Sequence, residues 1–176
     1  MDTLLVIDMQ RAWLGETSPR FDKDAVIERI NLAAQHMRQR AGKVVFVRHS
    51  NAEASVGSAA WQVDPRLAVT AADHFIDKTA CDAFLHTSLQ ADLAAWQSDR
   101  LYICGLATEF CVDTTIRAAI SKGFDVVALS DAHTTGDRPH LGAGQIVAHH
   151  NWIWSHLALP VARSLQVLTV EQAFAD

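Results

Sequence analysis

Short apolar runs punctuate the chain at residues 4–7, 44–47, 74–76, 101–104, 126–129 and 167–168, and most are apolar at consecutive rather than alternate positions. A strand with that pattern is buried on both faces, as in a parallel sheet covered by helices. Stretches of helical period separate the runs. Residues 24–40 place Val26, Ile30, Ala33, Ala34 and Met37 along one stripe and stop before Gly42, which readily supplies a left-handed cap. Residues 84–96 repeat the spacing with Leu85, Leu89 and Leu93, and 111–121 lead to Gly123. Residues 139–157 open on Pro139, a residue tolerated in the first turn of a helix. This alternation predicts an α/β protein with a central, mostly parallel sheet of about six strands and helices on both faces.

No repeat, low-complexity tract or linker interrupts the pattern, so residues 1–176 are expected to form a single domain. The segment 51–70, rich in Ala and Ser and carrying Trp61 and Pro65, is the longest irregular stretch and a candidate pocket wall. The composition, 49% hydrophobic and 20% charged, belongs to an ordered globular chain. A net charge of -5 without a basic run argues against nucleic-acid binding. No apolar stretch has the roughly 18 to 20 residues needed to cross a bilayer, so no membrane partner is expected. The opening residues read as a strand rather than a signal peptide. Cys81, Cys104 and Cys111 lack disulfide or zinc spacing, which fits free thiols in the cytoplasm.

Ligands of open parallel sheets bind beyond the carboxyl ends of the strands. Asp8 closes the first apolar run, Lys78 follows the third, and Cys111 follows the fourth across the turn at 105–110. A thiol needs a base or a nearby positive charge to react as thiolate at neutral pH. Asp8 can take the proton, Lys78 can hold the carboxylate and stabilise negative charge, and Cys111 would open the following helix. Each also has a structural reading: a small buried thiol, a capping carboxylate, a solvated ammonium. Their joint placement at three strand ends is the stronger argument.

Three segments carry a resemblance. Leu5-Val6-Ile7-Asp8-Met9-Gln10, the run Asp77-Lys78-Thr79-Ala80-Cys81-Asp82-Ala83-Phe84, and Cys104-Gly105-Leu106-Ala107-Thr108-Glu109-Phe110-Cys111-Val112 resemble, in order and spacing, the signature segments of the isochorismatase-like cysteine hydrolase superfamily. The resemblance implies a three-layer α/β/α Rossmann-like fold and a catalytic triad of Asp8, Lys78 and Cys111. It also implies a non-proline cis peptide between Leu106 and Ala107, and an oxyanion hole made by the backbone N–H groups of Ala107 and Cys111. The implied chemistry is hydrolysis of a small-molecule amide or related C–N bond through a thioester, with no cofactor.

Members that cleave an enol ether typically lack the cysteine, so Cys111 favours C–N hydrolysis. Nicotinamidases carry an Asp-x-His pair after the second strand and bind a metal there. Here the stretch 48–53 offers His49 without that pair, and no metal site is expected. Possible pocket residues are Gln10, Trp13, His49, Trp61 and His133, each equally readable as a loop anchor or a hydrogen-bonded wall residue. Two other classes remain open: an inactive or binding relative, and a thiol redox protein, which lacks a Cys-x-x-Cys pair. A dinucleotide enzyme lacks its Gly-x-Gly-x-x-Gly turn. Homo-oligomers are common in the family, and the apolar residues from 152 to 168 offer material for an interface.

Overall fold

The computed structural model describes residues 1–175. Six strands, β1 (Asp2–Ile7), β2 (Lys43–His49), β3 (His74–Lys78), β4 (Arg100–Leu106), β5 (Asp125–Thr134) and β6 (Leu165–Leu168), form one sheet in the order β3-β2-β1-β4-β5-β6. Every pairing is parallel. The apolar runs cover both faces because successive side chains of a strand point opposite ways. Leu4 and Val6 of β1, Val44 and Phe46 of β2, and Tyr102 and Cys104 of β4 enter one core with α2 (Lys23–Gln39) and α6 (Val170–Phe174). Leu5 and Ile7, Val45 and Val47, and Leu101 and Ile103 enter the other, under α3 (Leu89–Ala95), α4 (Asp113–Ser121) and α5 (Ala143–Ser155). The result is the three-layer α/β/α arrangement.

Several boundaries differ from the expectation. The helix expected over 84–96 is helical only as α3, because local bonds hold the preceding residues in turns. Asp82 Oδ1 accepts from the Phe84 N–H at 2.8 Å, Thr87 Oγ1 donates to the Ala83 carbonyl at 2.6 Å, and His86 takes φ 57°. The helix expected from Pro139 starts at Ala143, whose N–H donates to Asp137 Oδ1 at 2.8 Å. The fifth strand continues to Thr134, with a register irregularity opposite Ile103 and Gly105. The short helices α1 (Arg11–Leu14) and α6 had no periodic signal.

Gly42 is not itself the left-handed residue at the end of α2. Ala41 takes the left-handed conformation, φ 57°, and the Gly42 N–H donates to Met37 O at 2.9 Å. A Cβ on Gly42 would lie 2.2 Å from Met37 Sδ and 2.9 Å from Asp2 O. The glycine lets α2 close onto the start of β1.

Candidate active site

The strand order reverses between β1 and β4, and their carboxyl ends open a crevice there. Gly105 makes the crevice possible: its φ is 114°, and a Cβ would fall 2.2 Å from Ile7 O. Asp8 leaves β1 in a left-handed conformation, φ 51°, with its N–H donating to Val47 O at 2.9 Å. Aspartate tolerates that conformation better than most residues. The helix α1 follows at once and lays Trp13 along the pocket.

Lys78 is the last residue of β3, in register with His49 of β2, and its long side chain carries the ammonium to the crevice. Its Nζ lies 2.8 Å from Asp8 Oδ2, 3.3 Å from Cys111 Sγ, 3.3 Å from His49 Nδ1 and 3.0 Å from the Ala80 carbonyl. Cys111 does not open a regular helix as expected. It sits in a π-helical turn, Thr108–Val112, that precedes α4. The turn is pinned at its start, where the Ala107 carbonyl accepts from the N–H groups of Phe110 and Val112 at 3.0 and 3.2 Å. Single π-turns recur at functional sites because the extra residue re-aims a side chain. The Leu106–Ala107 peptide is cis.

Burial raises the Asp8 carboxyl above the ordinary carboxylate range, with Lys78 and the Cys111 thiol opposing the shift. Burial likewise pushes the Cys111 thiol up, the Asp8 carboxylate adds to the rise, and Lys78 opposes it. Ionised Asp8 therefore disfavours the Cys111 thiolate, while Lys78 Nζ, beside both, favours negative charge on either. Moving the thiol proton onto Asp8 converts carboxylate and thiol into acid and thiolate without changing the net charge. Among the described residues Asp8 Oδ1 is buried without a hydrogen-bond partner, which leaves one acceptor for such a proton.

His49 ends β2 between Asp8 and Lys78. The donor atoms of Asp8, His49 and Cys111 lie within 4.8 Å of one another, close enough to consider a cation. The Lys78 ammonium is at hydrogen-bonding distance from all of them and already supplies the positive charge there. A divalent ion on the same donors would face that ammonium at close range, so this set is a poor metal site.

The pocket holds about 240 Å³ and is lined by Asp8, His49, Cys111, Leu106 and Ala107, with Trp13 among the wall residues. Gln10, expected as a pocket residue, is instead a buried tether outside the lining. Its Nε2 donates to the carbonyls of His49 and Trp61 at 2.9 and 2.8 Å, and its Oε1 accepts from the His49 N–H at 2.7 Å. Trp61 is also outside the lining and stacks under the Arg48 guanidinium, 3.7 Å from the ring centroid.

His133 is 1% exposed and lies in β5 away from the pocket. Asn151 donates through Nδ2 to the Ser130 carbonyl, so its Oδ1 is the atom 3.0 Å from His133 Nε2. That ring nitrogen carries the hydrogen, and Nδ1 accepts from Thr108 Oγ1 at 2.8 Å. His133 thus braces the π-helical turn from behind. Trp154 is core and Trp152 is 61% exposed.

The sequence singled out none of Arg20, Cys81 and Phe110 as lining residues, whereas Asn51 opens the segment 51–70 that was expected as a pocket wall. Cys81 and Phe110 lie within the quoted signature segments and were the findable pair. Arg20 and Asn51 come from irregular loops, where no periodicity says which way a side chain turns.

Comparison with known proteins gives consistent relatives. A family model described as the isochorismatase domain matches residues 2–158. Streptothricin hydrolase of Streptomyces noursei is 30% identical over 142 residues, covering 79% of this chain and 51% of that protein, so this chain spans about half the length of that relative. A solved isochorismatase family protein superposes with a TM-score of 0.87 at 35% identity, covering 96% of this chain and 98% of that one. The N-carbamoylsarcosine amidase from Thermoplasma acidophilum shares the fold, with a TM-score of 0.78 at 18% identity over 97% of this chain and 96% of its own.

Proposed function

Because the chain belongs to the isochorismatase family, we propose that it is a cysteine-dependent hydrolase of a small-molecule amide or related C–N bond, acting through a thioester on Cys111. The observation that carries this reading is the single ammonium of Lys78, 2.8 Å from Asp8 Oδ2 and 3.3 Å from Cys111 Sγ. It holds base and nucleophile together and stabilises whichever of them carries the negative charge.

In the proposed reaction Asp8 takes the thiol proton and the sulfur attacks the amide carbon. The N–H groups of Ala107 and Cys111 receive the developing oxyanion. Asp8 returns the proton to the leaving nitrogen, the C–N bond breaks, and the amine departs. A water then loses its proton to Asp8 and attacks the thioester. The acid leaves, and Cys111 takes the proton back. Amide and water become acid and amine, with the triad restored.

The test pairs wild type with Cys111→Ala on a panel of small amides, following ammonia or amine release and the mass of the intact protein. Release and a transient acyl mass in the wild type, with turnover lower by at least about 10⁴-fold in the folded variant, support the reading. A panel left intact by a folded wild type, with Cys111 unmodified, overturns it.

A further inference from the structure

Outside the pocket lining lies a chain of buried polar groups that the proposed reaction does not use. Asn151 of α5 donates through Nδ2 to the Ser130 carbonyl at 2.9 Å, which turns its Oδ1 towards His133 Nε2, 3.0 Å away. An oxygen acceptor at that distance puts the ring hydrogen on Nε2 and leaves Nδ1 bare. Thr108 Oγ1, 2.8 Å from Nδ1, is therefore a donor. Every member has one role, and none can be reversed without breaking a bond. Burial holds His133 at about 4, with the Asn151 bond opposing the shift and His150 adding to it, so the ring is neutral and the order of donors persists at neutral pH.

The chain ends on the turn that carries Cys111, because Thr108 is the first residue of that turn. His133 reaches it through the irregularity in β5. Ile103 pairs with Ala128 and Gly105 with His133, so β5 advances five residues while β4 advances two. Just beyond the turn, Asp113 Oδ1 accepts from Trp154 Nε1 at 2.7 Å. The Trp154 ring also packs edge-on against His133, with centroids 5.0 Å apart and planes at 65°. Asn151 and Trp154 are three residues apart on α5 and share one face of it. That face thus holds the turn at Thr108, through His133, and directly at Asp113.

We propose that Asn151, His133 and Thr108 form a hydrogen-bonded strut by which α5 positions Cys111, with Trp154 on Asp113 as its second point of hold. This rests on the hydrolase reading and deepens it. A π-helical turn is a rare local conformation. Directional bonds at both ends fix its rotation, and with it the aim of a sulfur that lies 3.3 Å from Lys78 Nζ. Apolar side chains could fill the same space at similar stability, but they would not resist that rotation. His133 and Thr108 are positioning residues that act through the turn.

The experiment measures kcat and KM of folded variants on an amide that the wild type hydrolyses. Thr108→Val keeps the shape and removes the donor, and is expected to lower kcat by about 10- to 100-fold with KM within about twofold. Thr108→Ser keeps the donor and is expected to stay within about threefold of wild type. Trp154→Phe keeps a ring and removes the bond to Asp113, and should lower kcat by about threefold or more, again with KM nearly unchanged. In wild type, ¹⁵N spectra of the His133 ring should show a neutral imidazole with its hydrogen on Nε2. A folded Thr108→Val with kcat within about twofold of wild type, or Thr108→Ser as slow as Thr108→Val, overturns the inference while leaving the nucleophile intact. Should Thr108→Val not fold, the other two measurements decide: a hydrogen on Nδ1 of His133, or an unimpaired Trp154→Phe, overturns it. A panel of small amides left intact by the folded wild type, with Cys111 unmodified, overturns the hydrolase reading and this inference with it.

Discussion

The Nζ of Lys78 lies 2.8 Å from Oδ2 of Asp8, in an ion pair whose side chains are 0% and 5% exposed. A pair so far from water is strongly destabilised by losing one member, because the other charge is left buried. The same ammonium touches the Cys111 sulfur, so the pair sets the protonation of the proposed nucleophile.

That coupling predicts opposite effects of the two partners on thiol ionisation. Asp8 raises the Cys111 thiol and Lys78 lowers it. Asp8→Asn is expected to move the alkylation midpoint of Cys111 to lower pH and Lys78→Met to higher pH. Both variants should lose hydrolysis by about 10²-fold or more, because one lacks the proton carrier and the other its counter-charge. Iodoacetamide labelling against pH, mapped to Cys111, checks this; a midpoint that rises in Asp8→Asn would refute it.

Asp8 also affects stability. Its folded carboxyl lies above the ordinary range, so the folded state binds the proton more tightly than the unfolded state does. Stability on this account falls as pH rises from the unfolded value of 3.8 through the folded one, and ionised Asp8 is a cost at neutral pH. Asp8→Asn, which keeps the left-handed backbone acceptable, leaves the Lys78 charge buried without its partner and is expected to melt lower than wild type at pH 7, with a gap that widens on acidification because only the wild type gains stability by protonating Asp8. Thermal melts of both proteins from pH 5 to 8 measure the gap.

His133 works with the other sign. Burial pushes it down from 6.5 to about 4, so between those values the unfolded chain takes a proton that the folded chain refuses. Stability from this group is complete above about pH 6.5 and is lost as pH falls towards 4, by at most about 3 kcal/mol. His133→Gln should flatten the slope of urea-unfolding free energy between pH 7 and 5, whatever its effect on the absolute value.

Gly105→Ala should be among the most damaging small changes in the chain. The methyl would overlap Ile7 O at 2.2 Å, and φ 114° is a conformation that L residues rarely adopt. A loss of about 3 kcal/mol or more, or insoluble expression, is expected. Denaturant unfolding or recovery of soluble protein decides it.

Gln10→Ala removes three hydrogen bonds that fix the ends of β2 and of the loop at Trp61. It is expected to cost about 2 to 3 kcal/mol and, by loosening His49, to raise KM more than it lowers kcat. Equal loss in both kinetic constants, or none, would show that the tether does not position the pocket.

The layered fold was legible because a strand buried on both faces must be apolar throughout, and 4–7, 44–47, 101–104 and 126–129 meet that condition. The boundaries that slipped, at Ala143 and across 79–88, were decided by single side-chain bonds from Asp137, Asp82 and Thr87, which no periodicity encodes. Gln10 and His133 show the same limit. Their identity announced hydrogen bonding, but their partners, His49 and Trp61 for one and Thr108 and Asn151 for the other, are distant in sequence.

The sequence by itself determined the alternation of elements and placed an aspartate, a lysine and a cysteine at or just after the ends of three strands, because strand and helix periods are local properties of the chain. Tertiary structure alone decided that β1 and β4 are neighbours, that the Lys78 ammonium reaches both Asp8 and Cys111, and that Arg20 joins the pocket lining. Those are relations between residues far apart along the chain. They are fixed by which strands pair and by how loops pack over the sheet, and a one-dimensional pattern carries no record of either.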